Sequence, residues 1–170
     1  MILDALLMFD GASNPLAGVA ITVTRDSTNE LDMKNQRDMG IGDNVLDILV
    51  LITETFTAGG AATLVVSIQG ARDNGGAPGT YYPMVNSPTY AVAQLTAGRE
   101  LLRAPLPMWD PASAGAVAAD AAAVPRFYKL VYTVATGPMT AGKVISTLVD
   151  HSGRQANRSY PSGIPVQTYA

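Results

Sequence analysis

Apolar residues recur along this chain at intervals of two, in short runs broken by glycine, proline or asparagine. Successive side chains of an extended backbone point to opposite sides, so this spacing marks strands that bury one face. Between Arg126 and Ala135, Tyr128, Leu130, Tyr132 and Val134 form one row. Lys129 and Thr133 fall on the other, with Phe127 and Val131 between them. Thr136-Gly137-Pro138 stops the strand, because proline fixes φ and donates no ladder hydrogen bond. A β-branched run, Val144 to Val149, follows, and the two runs together read as a hairpin. The same pattern predicts strands at Gly18–Asp26, Asn29–Met33, Val45–Thr53, Ala62–Gln69, Ala91–Gln94 and Glu100–Ala104. Gly59-Gly60, Asn74-Gly75-Gly76, Pro78-Gly79 and Ala97-Gly98 supply the turns between them.

Short strands throughout, with almost no helical period, point to a β-sandwich or barrel. The one helix candidate is the alanine-rich stretch Ala112–Val124, bounded by Pro111 and Pro125; an extended loop is the alternative. Strand Val45–Thr53 is apolar on both sides. Leu46, Ile48, Val50 and Ile52 make one row, and Val45, Leu49 and Leu51 make the other, interrupted by Asp47. A sandwich strand normally has one wet face, so the second must be covered by the chain's own arms or by a neighbouring subunit.

Composition narrows the function. The chain has 170 residues, long enough to bury a core in a single domain. It has no cysteine, which removes disulfides, thiolate zinc sites and cysteine nucleophiles. Charged residues are 15% of the chain, against about 25% in ordinary soluble domains, so part of the surface is expected to be covered by partners or kept wet by neutral polar groups. A net charge of −3 without a basic run argues against nucleic acid. No apolar run reaches transmembrane length, and Met1–Phe9 lacks a basic start and contains Asp4, so neither membrane nor secretion is expected.

No constellation carries catalytic chemistry. His151 is the lone histidine, and its neighbours Asp150 and Ser152 cannot converge on it as a triad would require. The carboxylates, Asp26, Glu30, Asp32, Asp47, Asp73 and Glu100 among them, are scattered near turns and strand ends. Asp26, Glu30 and Asp32 lack calcium-loop spacing. Gly40-Ile41-Gly42 precedes a strand and not a helix, so it is a turn. No enzyme and no cofactor or metal is expected. Trp109 with Tyr81, Tyr82 and Tyr90 could stack on a sugar, or equally plug an interface. The termini are more suggestive. Ile2, Leu3, Leu6, Leu7 and Phe9 need cover, and the extended tail carries Arg158 and Tyr160.

The wording of several blocks resembles a known family. They are "MILDALLMFD" at the start, "TVTRDSTNELDM" with "RDMGIG" after it, "FTAGGAATLVVSIQ", "RFYKLVYTVATGPMTAGKV" and "RSYPSGIPV" near the end. In their order they resemble the jelly-roll cement (decoration) proteins of tailed-phage capsids; the stretch Trp109–Val124 departs from that pattern. The resemblance implies an all-β, antiparallel jelly-roll β-sandwich in one domain, with an N-terminal arm at 1–17, the sandwich at 18–150 and a C-terminal tail at 151–170. It implies a structural protein on the outer capsid surface of a virion, assembled in the host cytoplasm. Its partners would be the phage major capsid protein and a second copy of itself, as a homodimer with a trimer as the alternative. The residues expected at these interfaces are Ile2, Leu3, Leu6, Leu7, Phe9, Leu49, Leu51, Trp109, Arg158 and Tyr160. A carbohydrate-binding jelly-roll module is the second reading, and a β-sandwich glycosidase without an evident acid/base pair the third.

Overall fold

The computed structural model describes residues 7–14, 17–33, 46–107 and 125–150. Numbered in chain order, its strands are β1 Met8–Asp10, β2 Val19–Ala20, β3 Arg25–Asp26, β4 Leu31–Asp32, β5 Leu46–Ala58, β6 Thr63–Asn74, β7 Ala77–Asn86, β8 Tyr90–Ala91, β9 Glu100–Pro105, β10 Phe127–Ala135 and β11 Met139–Asp150. They form two antiparallel sheets. The first runs β1-β11-β5-β9, with β2 also on β11; the second runs β3-β10-β6-β7, with β4 on β10 and β8 on β6. Taking β1 with β2, β3 with β4 and β7 with β8 as split strands leaves eight positions. Their orders are then first-eighth-third-sixth and second-seventh-fourth-fifth, the jelly-roll arrangement.

The inner faces meet in one apolar core. Phe9, Ile48, Val50, Ile52, Phe56, Val144 and Leu148 come from the first sheet, and Leu64, Val66, Ile68, Tyr128, Leu130 and Tyr132 from the second. The predicted inward row of β10 is therefore correct, and β10 lies along β6 in unbroken register from Phe127↔Ala71 to Ala135↔Thr63.

The hairpin reading of β10 and β11 is not. β10 pairs with β3, β4 and β6, whereas β11 pairs with β1, β2 and β5. Each strand carries its own buried row, and those rows face each other across the sandwich instead of sharing one sheet. Thr136 at φ 64 and Gly137 at φ 107 turn the chain from sheet to sheet. The predicted strand Gly18–Asp26 divides for the same reason: β2 joins the first sheet and β3 the second.

Two further expectations change. Met8–Asp10 is a strand of the first sheet, so the sandwich begins within the expected arm. Residues 92–94, expected as strand, form a 3-10 turn in which the Gln94 side chain accepts from the Ala91 N–H at 3.0 Å. The helix candidate Ala112–Val124 and the tail 151–170 lie outside the described residues.

β7 was hidden by Pro78-Gly79, which reads as a turn, and it carries a second proline, Pro83. It lies at the end of the second sheet's strand order, where one side of the backbone needs no partner and proline is tolerated. These prolines also blunt that edge against pairing with another chain. On the corresponding strand of the first sheet, β9 ends in Pro105, and its Leu101 carbonyl accepts the Tyr90 hydroxyl at 3.0 Å.

Candidate functional site

A polar cluster sits inside the apolar core. Asp10 ends β1 and is fully buried. Its Oδ1 accepts from the Thr28 N–H at 2.9 Å, the Thr28 hydroxyl at 2.8 Å and the Arg25 guanidinium at 3.2 Å. Its Oδ2 accepts from the Tyr132 hydroxyl at 2.7 Å and the Ser146 hydroxyl at 3.1 Å. Tyr132 belongs to one sheet and Ser146 to the other, so a single carboxylate ties β1 to both layers. The strand is fastened further by Asn29, whose N–H donates to the Phe9 carbonyl at 2.8 Å and whose side chain donates to the Met8 carbonyl at 3.0 Å.

With donors on both oxygens, this carboxylate is suited to holding structure and not to moving protons. Burial, and then the charge of Asp10, push the Tyr132 phenol well above its ordinary pKa. Burial alone pushes Tyr128 up to about 12, with its hydroxyl donating to the Pro107 carbonyl at 2.7 Å. Both phenols are donors locked in place. Sequence reasoning passed over Asp10. The available signal was polar tips, Tyr132 and Ser146, on otherwise apolar inward rows, each needing a buried partner.

These phenols make stability depend on alkaline pH. Below the unfolded phenol value of 10.0 both folded and unfolded chains keep the Tyr132 proton, and its contribution is intact. Above it the unfolded chain releases a proton that the fold retains, so stability falls by about 1.4 kcal/mol per pH unit for this group. Urea unfolding between pH 8 and 11 should show the decline, and Tyr132→Phe should remove that share of the slope. An unchanged slope in the variant would mean that Tyr132 ionises freely in the fold.

The carboxylates considered for calcium are each engaged separately, on the outer side of the second sheet. Asp26 pairs with Lys129 at 2.6 Å, and Asp32 takes two bonds from Arg126, at 2.7 and 2.6 Å. Asp73 lies 2.8 Å from the same guanidinium. Glu30 accepts the Tyr81 hydroxyl, and the Lys129 ammonium stands 4.3 Å from the Tyr81 ring centre. They sit at strand ends and turns, as expected, partly open to water, and each is paired there with a neighbouring cation or hydroxyl: Asp26 with Lys129 of β10, Asp32 and Asp73 with Arg126 just before it, and Glu30 with Tyr81 of β7. Among the described residues no three carboxylates or histidines gather as metal ligands. Tyr81 and Tyr90 do not share a platform, because they pair with Ala71 and Leu64, about 24 Å apart along β6.

The expected interface residues are distributed unevenly. Phe9 is a correction: fully buried in the core, it packs between the sheets and offers no surface to a partner. Leu7 is half-buried against the same core. Leu49 is buried on the outer side of the first sheet, where its cross-strand partners are Thr147 and Arg103. Beside them Asp47, also buried, accepts from Arg103 at 3.0 Å. The second face of β5 is thus closed at Leu49 within one chain. Leu51, opposite Ile145, is half-buried and remains partly open. Ile2, Leu3, Leu6, Trp109, Arg158 and Tyr160 lie outside the described residues.

No curated protein matches the sequence. Residues 16–148 match the family model Bbp16, a span that takes in every described strand except β1 and the last residues of β11. The two-sheet sandwich is therefore the shared part of the chain, and the protein belongs to the Bbp16 family, whose name points to phage-related proteins.

Proposed function

We propose that this chain is a structural accessory protein of a tailed-phage particle, a cement that binds the outer capsid surface and bridges major capsid subunits. The observation that carries the reading is the Bbp16 match over most of a jelly-roll sandwich. In its support, the polar groups described above hold strands and loops of the sandwich together. The Asp10 cluster and the Arg126, Lys129 and Arg103 pairs all act between strands or loops of the fold. Such a protein works by area and multiplicity: contacts with several subunits convert modest single affinities into durable attachment. A two-fold pairing of copies, or a trimer, matches the local symmetry of a shell.

The test is addition of the purified protein to shells lacking it, followed by co-sedimentation and an electron-microscopy map. Density at regular outer positions touching more than one capsid subunit is expected. Shells that sediment bare would overturn the reading. Leu51→Glu probes the open part of the first sheet's outer face without entering the core. Its melting midpoint should stay near that of the parent. Losing one apolar side chain from a contact, about 1.5–3 kcal/mol, should lower shell affinity roughly ten- to hundred-fold. Unchanged occupancy would remove this face from the contact surface.

A further inference from the structure

We propose that Asn74 is a site of spontaneous modification, in which the neighbouring Gly75 nitrogen attacks its side-chain amide and water completes conversion to aspartate and isoaspartate. Asn74 is the last residue of β6 and pairs with Ala77 across the turn into β7. The two central residues, Gly75 at φ 68 and Gly76 at φ 98, both use the left-handed region that such a tight turn requires. Asn74, Gly75, Gly76 and Ala77 are all exposed.

Three features favour the attack. The Gly76 N–H is held by the Asp73 carboxylate at 2.8 Å, but the Gly75 N–H has no acceptor among the described residues. Glycine has no side chain to obstruct closure of the ring. A β-carbon built on Gly75 or Gly76 would meet nothing within 4 Å, so no other part of the fold crowds the two glycines. The Gly75 nitrogen loses its proton and bonds to the Asn74 amide carbon. The side-chain nitrogen leaves as ammonia and a five-membered imide remains. Water then opens one or other carbon–nitrogen bond of the imide. One water is consumed and one ammonia released, and no oxidant or metal takes part.

The rest of the fold shows what protection looks like. Asn86 also precedes a small residue, Ser87, but the Ser87 N–H donates to the Val66 carbonyl at 2.8 Å. Ser87 is itself buried, and its hydroxyl accepts from the Val66 N–H at 2.9 Å. Its nitrogen is committed to the sheet and cannot attack. The Asn29 amide donates to the Met8 carbonyl at 3.0 Å. Asn14 precedes Pro15, which has no N–H. The new carboxylate at position 74 would stand beside Asp73, which already pairs with Arg126. In the isoaspartate form the main chain gains a methylene, which breaks the Asn74↔Ala77 register.

Incubation of the folded protein at mildly alkaline pH, followed by tryptic mass analysis, tests this on one fragment. Cleavage after Arg72 and Arg99 leaves Asn74 and Asn86 in the same peptide. Asn74 should gain the mass difference between NH2 and OH while Asn86 stays intact, with ammonia released in step. In urea Asn86 should begin to convert as well. Asn74→Gln, whose longer side chain closes a less favourable ring, should abolish the change. An Asn74 that persists in the fold while the unfolded chain converts it would overturn the proposal. So would an Asn86 that reacts as fast as Asn74 in the folded protein.

Discussion

Replacing Asp10 with alanine is expected to destabilise the fold by about 3–5 kcal/mol, as removal of one member of a buried charged network does. For a domain of this size that lowers the melting midpoint by roughly 6–20 °C. Asp10 is fully buried, and its loss takes the acceptor from the Ser146 hydroxyl and the Thr28 N–H and leaves the Tyr132 hydroxyl only Ser146 Oγ, at 3.0 Å. Arg25, partly open to solvent, can rehydrate and should contribute the least to the loss. Asp10→Asn keeps the volume but turns a donor toward other donors, so it should recover only part of the stability. Thermal melts of the two variants decide the matter. A loss of less than about 1 kcal/mol for alanine would be that of an ordinary exposed pair, and would show that water takes over the cluster.

The second large effect is expected at Gly142, in β11. Its φ of 131 is open to glycine and strained for other residues, and an added β-carbon would lie 2.3 Å from the Phe56 ring. The glycine leaves the space into which that ring packs, and the ladder slips in register on both sides of it. Gly142→Ala should cost about 1–3 kcal/mol for backbone strain and a similar amount for displacing the ring. The collision can be separated from the strain by a double-mutant cycle with Phe56→Ala. The pair should be less harmful than the sum of the single changes by about 0.5–3 kcal/mol. Strict additivity would mean that only backbone strain matters there.

The sequence showed the fold best where strands are long and one face is apolar. β5, β6, β10 and β11 were legible because alternation is a local property of extended chain. β7 was not, since Pro78-Gly79 imitates a turn and only the strand's edge position makes its two prolines harmless. The division of Gly18–Asp26 between two sheets, and the separation of β10 from β11, depend on which strand lies alongside, and alternation carries no such information. The Asp10 cluster was beyond local reading for the same reason. Its bonds join residues separated by as few as 15 and as many as 136 positions. Of the expected contact residues, Phe9 and Leu49 were legible as apolar and in need of cover, but the sequence did not say that the chain itself supplies it.

The pairing of β1 with β11 has a consequence for how the protein is made. Met8 lies opposite Thr147, so the first described strand has no neighbour in its sheet until nearly the last one exists. At a synthesis rate of about 5–20 residues per second, β1 waits on the order of ten seconds after leaving the ribosome. Throughout that interval Met8 and Phe9, both fully buried in the finished fold, lack the sheet that covers them, and the Asp10 carboxylate lacks Ser146 and, until β10 emerges, Tyr132. Closure of the sandwich therefore waits for β11. A chain cut short before β11 leaves β1 without a sheet neighbour, held only by the bonds from Arg25, Thr28 and Asn29.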